Sequence, residues 1–254
     1  MTLGRTRTRG RSLAVPLAVT TVLASGSIAE AGAEPRRRLP EQQHISGSCL
    51  EGWFPIPVDA ARVAPHVPAP FQPAVTVGKA RVAVFAEECV LSRDGGPPVH
   101  AVFSGVPVPI TPPPGESGNH SYDVLWATSS RTHYRWMRQL GSGSLIEGSV
   151  FEYADGPAAT AFADVPGWFT FTMVGGDPPE LETGFPLTTY HWQLGRFGPV
   201  RNAADHTEMR ALPGHAVIRP EPGSPLADMI GEGPVQAEGL FFRFNFTQVS
   251  EVVQ

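Results

Sequence analysis

Val75-Thr76-Val77-Gly78-Lys79-Ala80-Arg81-Val82-Ala83-Val84-Phe85 decides the fold class. Ala80, Val82 and Val84 alternate with Lys79, Arg81 and Ala83, the two-residue period of a strand with one face against a core. On that alternation Val82 and Val84 point inward and Lys79 stands in water. The same period recurs outward along the chain, at 122–127, 144–153, 158–163, 168–174, 188–194, 207–212, 215–219 and 240–249. Asp155-Gly156 is a hairpin turn between two of these segments. The 27 glycines and 27 prolines are spread throughout and punctuate short apolar runs. Many short strands at close spacing predict a barrel or a sandwich. Helix signals are few. Asp59 caps a short run that stops before Pro65. Ser224, Pro225 and Gly231 are the cap, first position and stop of a second helix. The segment 131–140 fits either a helix or an irregular strand.

The N-terminus predicts export. Arg5, Arg7, Arg9 and Arg11 precede an apolar run from Leu13 to Ala24, too short for the roughly 20 residues of a membrane span. Ala29-Glu30-Ala31 follows as a cleavage pattern. The expected organisation is a signal peptide over 1–31, a flexible segment over 32–47 and one domain over 48–254. Removing the leader takes 19 basic and 24 acidic residues to 15 and 23, a net charge of −8. Such a chain has no electrostatic attraction to nucleic acid or to an anionic membrane, and no stable membrane insertion is expected after cleavage. The two cysteines, Cys49 and Cys89, are read as one disulfide in an oxidising compartment. The protein is expected to be secreted.

Sequence motifs for familiar chemistries are missing: there is no G-x-S-x-G, H-E-x-x-H, phosphate loop or C-x-x-C. The eight histidines show no i,i+4 pair, so no metal and no other cofactor is expected. Lys79 is the single lysine beside 18 arginines. Arginine stays protonated and cannot attack a carbonyl, so Schiff-base chemistry would fall to Lys79. The densest polar cluster runs from Ser129 to Arg138. Arg131 and Arg138 there have the guanidinium geometry that clasps a carboxylate, and Tyr134 supplies an aromatic wall. A solvated surface segment reads equally well. His133 and Glu147 are the candidate proton-transfer groups.

The order of segments resembles the acetoacetate decarboxylase-like superfamily. The stretch from Pro57 to Pro68 is similar to its early helix and proline turn. Tyr122 to Trp126, followed by Ser130-Arg131 and Arg138-Gln139-Leu140-Gly141, is similar to its central strand and active-site segment. Trp168 to Phe171 and Phe242-Arg243-Phe244 resemble its late strands, and the likeness covers residues 48–250. It implies a closed antiparallel β barrel with one or two short helices. The family's decarboxylases use a lysine whose pKa is lowered by a second lysine. In the matching segment their glycine-arginine-glutamate start reads Ser130-Arg131-Thr132 here, and their proline-lysine-lysine end reads Met137-Arg138-Gln139. The resemblance therefore implies the barrel without its nucleophile, and Arg138 as an anion anchor in its place.

The expected function is the binding of a small oxo acid or other carbonyl compound without Schiff-base decarboxylation. Arg131, Tyr134 and Arg138 would hold the ligand. The alternatives are a lyase or hydratase using His133 or Glu147 as base, a lipocalin-like carrier of apolar ligands, and a structural module with no pocket.

Overall fold

The structure, a computed structural model, describes residues 42–143, 145–154, 159–175 and 187–253. The predicted signal peptide and the Asp155-Gly156 turn lie outside the described residues. The elements are β1 (Gln42–Asp59), α1 (Ala60–Val63), β2 (Lys79–Arg93), β3 (Val99–Pro109), β4 (Asn119–Thr128), α2 (Arg131–Gln139) and β5 (Leu145–Glu147). They continue with β6 (Val150–Ala154), β7 (Ala159–Val165), β8 (Phe169–Gly175), β9 (Leu187–Gly195), β10 (Gly198–Pro220), α3 (Pro225–Ile230) and β11 (Val235–Val252).

All the strands belong to one eleven-stranded sheet, and seven of them close a ring in the order β11-β1-β2-β3-β4-β9-β10. Strand β10 pairs with β11 and shuts it. The sheet is mostly β as expected, but it is neither a plain barrel nor antiparallel throughout. β4 runs parallel to both β9 and β5, and β8-β7-β6 continue outside the ring from the second half of β10.

Those outer strands cover the outside of β1–β3. Phe54, Val82, Val84, Ala86 and Val102 share one buried cluster with Ala161, Phe169, Phe171 and Met173, and Phe54 lies 6.0 Å from Phe171. Val82 and Val84 do face a core, but it is the core outside the ring. The inner face is apolar too, with Ala83, Phe85 and Leu91 buried. Lys79 shares that inner face and is exposed because it is the first residue of β2.

Two strands escape sequence inspection. In β3 both faces are buried, so alternation disappears, and Pro107 sits at an irregularity in its pairing with β4. β1 begins inside the segment read as a flexible tail: residues 42–47 pair with β11, and from Ile45 with β2 as well. Its prolines are tolerated for a definite reason. The Cys49–Cys89 Cα separation of 4.2 Å marks a non-hydrogen-bonded pair. Residues of the same parity, including Pro55 and Pro57, therefore turn their nitrogens away from β2. The pairing with β11 stops at Trp53, so nothing on that side needs a donor. β10 also runs through Pro213-Gly214, where two strands were expected. The glycine makes room, since a Cβ there would lie 2.7 Å from the Phe241 ring.

Each predicted helix forms at its cap. Asp59 accepts from the Ala61 amide (2.9 Å) and Ser224 from the Ala227 amide (3.1 Å). The undecided segment is helix α2, capped by Ser130, which accepts from the His133 amide at 3.2 Å. The helix lies over one end of the ring, tied down where Gln43 donates to the Trp136 carbonyl (3.0 Å) and Arg93 to Gln139 (2.9 Å).

Cys49 and Cys89 form the expected disulfide, 40 residues apart. Replacing both with serine is expected to lower stability by about 3 to 4 kcal/mol, mainly by freeing the unfolded chain. Urea unfolding of the variant beside the parent checks this, and an unchanged midpoint would show that the β1–β2 pairing holds without the link.

Candidate ligand cavity

The ring encloses a cavity of about 630 Å³. Three successive cross-strand pairs of β1 and β2 share its side of the sheet, Cys49 opposite Cys89, Glu51 opposite Glu87, and Trp53 opposite Phe85, and the last two pairs line the cavity. Steps of two residues keep all three on the inner face. The disulfide marks a close pair, so the glutamate pair is close too, with Cβ atoms about 5 Å apart. A Glu87 carboxylate oxygen lies within 4.8 Å of both disulfide sulfurs. These three residues have the separation of metal ligands, but sulfurs joined to each other are not thiolates and cannot hold a metal as such.

Both glutamates line the cavity and keep part of their surface accessible. Burial, reinforced by the charge of Glu87, holds the Glu51 carboxyl well above the usual carboxylate range. Burial pushes Glu87 up to about 7, against the opposing pull of His191. His191 lines the same cavity, and its Nδ1 is 2.9 Å from Oδ1 of Asp123, which is fully buried. Burial disfavours the charged ring, but the charge and hydrogen bond of Asp123, with Glu87 beyond, raise its pKa overall. Asp123 in turn accepts from Gln193 at 3.4 Å. Asp123 thus holds His191 on the cavity wall, where Glu87 and Glu51 also stand.

At the end under α2, His133 also lines the cavity. It is 2% exposed, and its ring meets Phe103 edge-on at 4.5 Å. Nδ1 has no partner, and burial lowers the pKa to about 3, so the ring is neutral. Trp53, Phe85, Phe103, Trp126, Phe242 and Phe244 add aromatic rings to the remaining wall.

The α2 segment is divided by its helical period. Ser130, His133, Met137 and Leu140 are buried, whereas Arg131 and Arg138, seven residues apart, share the exposed side. Neither arginine lines the cavity, so the expected carboxylate clamp is not assembled there. Tyr134 is half-buried against the inner aromatic cluster and does not reach the cavity wall. The side chain of Glu147 lies outside the described residues. Of the candidates whose side chains are described, only His133 lines the cavity.

The four residues that sequence inspection missed were not equally hidden. Continuing the alternation two positions past Phe85 places Glu87 on the same inward face, a carboxylate in an apolar strand. Glu51 sits in a strand broken by glycine and proline, and nothing local marks it. His191 and Asp123 meet only because β4 and β9 are joined in parallel, a pairing with no local trace.

No family model matches the chain, and no curated protein matches it in sequence. Solved structures do match in shape. The acetoacetate decarboxylase of Legionella pneumophila superposes with a TM-score of 0.56 at 10% identity, over 93% of this chain and 98% of that one. The enduracididine biosynthesis enzyme MppR complexed with pyruvate superposes with a TM-score of 0.55 at 12% identity, over 84% and 89%. A further acetoacetate decarboxylase gives 0.53 at 13% identity, over 81% and 87%. The seven-strand ring, the helix across its end and the strands packed outside it are thus an acetoacetate decarboxylase-like fold.

Proposed function

We propose that the ring cavity binds a small organic carbonyl compound and transfers a proton at the carbon beside that carbonyl, without a Schiff base. The observation that carries this reading is the Glu51–Glu87 pair facing His191 inside one apolar cavity. A carboxyl near pH 7 is matched to its task as a general base, and an apolar wall strengthens its action. Glu87, its ionised form favoured by His191 and through it by Asp123, would take the proton and become neutral, and the negative charge would pass to the carbonyl oxygen of the ligand. Enolisation and elimination of water both need this step, which places the activity among lyases and hydratases.

Lys79, the single lysine, is exposed and about 25 Å along β2 from Glu87, which supports a route without an amine. One fold neighbour is described with pyruvate, itself a carbonyl compound. A bare carboxylate ligand has less support, because two glutamates face the space and the one arginine lining it among the described residues, Arg81, stands about 20 Å along β2 from Glu87. The disulfide and the N-terminal pattern support placing the protein outside the cytoplasm. A second reading, an apolar carrier, is favoured by the aromatic wall alone.

Incubation with a panel of arylalkyl ketones in D2O, followed by NMR, tests the reading. Deuterium should enter the α-position faster than in buffer for at least one ketone. A ketone that binds without exchange would leave the carrier; no binding and no exchange would overturn both readings.

A further inference from the structure

Glu51 is flanked on both sides within the sheet. Glu87 is its partner on β2, and Phe242 is its partner on β11. The next step along the inner face is the Trp53–Phe85 pair, stacked with centroids 6.2 Å apart and planes 20° from parallel. Two acids therefore share the cavity wall with three neighbouring aromatic residues, Trp53, Phe85 and Phe242. Aromatic faces attract cations, and an acid beside them supplies the opposite charge.

No basic side chain of the described protein fills this place. Arg81 is the only arginine or lysine lining the cavity among the described residues, and it is exposed, about 20 Å along β2 from Glu87. The charge of His191 is already balanced by Asp123. His133 is neutral and buried and has a ring nitrogen without a partner, so it can accept from a ligand N–H without repelling a positive charge. Two further imidazoles line the cavity: His120, stacked on Tyr190 at 4.5 Å, and His206, which burial holds toward its neutral form, with the Leu187 carbonyl 3.0 Å from its Nδ1 working the other way.

We infer that the cavity is built for an organic cation, an alkylammonium group seated between the Glu51–Glu87 carboxyls and the Trp53, Phe85 and Phe242 rings. This rests on the reading of the cavity as the ligand site and names the ligand's charge. On that reading the substrate is an aminated carbonyl compound, opposite in charge to an oxo acid.

Three probes of one shape and different charge test it: 4-phenylbutan-2-amine, 4-phenylbutan-2-one and 4-phenylbutanoate, measured by calorimetry at pH 8 with the disulfide intact. The amine should bind at least about tenfold more tightly than the ketone, and the acid should be weakest. Glu51→Gln should cut the ratio of amine affinity to ketone affinity at least about tenfold, a change of preference that misfolding would not produce. If the ketone binds as well as the amine, or if Glu51→Gln leaves the preference intact, the cation site is wrong and the cavity still stands. If the acid binds best, the inference is reversed. If none of the three binds, both the inference and the cavity reading fall.

Discussion

His133→Phe is expected to make the protein markedly more resistant to acid, by about 5 kcal/mol at pH 3. The native ring is neutral, with its pKa lowered by burial to about 3. In the unfolded chain the same ring titrates near 6.5. Below pH 6.5 the unfolded state therefore binds a proton that the native state refuses. Stability contributed by the neutral ring is complete above pH 6.5 and is lost as pH falls toward 3. The interval is about three and a half pH units, at 1.36 kcal/mol each. Phenylalanine suits the place because the ring lies edge-on to both Phe103 and Trp136, and Nδ1 has no hydrogen bond to lose. Urea midpoints measured from pH 3 to pH 8 check it. The parent should lose ground to the variant as pH drops, and parallel curves would mean that the ring gains its proton inside the folded protein.

The fold was more legible in the residues than the site was. Strands with one wet face announced themselves: β7, β8, β9 and the second half of β11 stand where the alternation puts them. Those buried on both faces did not, because a strand such as β3 has no polar side to alternate with. The caps at Asp59, Ser130 and Ser224 act through their nearest amides, so two helices were readable from a few residues. The site depends on distance along the chain. Glu51 and Glu87 are 36 residues apart, and Asp123 and His191 are 68 apart. What brings each pair together is strand register, set by the turns and by the closure of β10 on β11. The conspicuous arginines of α2 misled for a similar reason. Their number suggested a site, but the helical period turned His133 in and Arg131 and Arg138 out.

Glu87→Gln should abolish turnover and at the same time stabilise the protein. As the proposed base, Glu87 should account for about a 10²- to 10⁴-fold acceleration, which the amide cannot supply. The stability change has the opposite sign. Burial raises the native carboxyl to about 7 from an ordinary 4.5. The stability that goes with its retained proton is complete below pH 4.5 and is lost as pH rises through 7. That loss is about 3 kcal/mol, and a neutral glutamine avoids it. It also removes the charge that helps to raise Glu51. Parent and variant should therefore match near pH 4.5 and diverge up to pH 7. In the parent, the falling slopes of Glu87 and Glu51 run against the rising slope of His133 between about pH 4.5 and 6.5. Glu87→Gln strips away one of the falling slopes. An inactive variant that unfolds at higher urea at pH 8 is the expected result. Lost activity with lowered stability would instead make Glu87 a packing residue, and the base would have to be sought in Glu51.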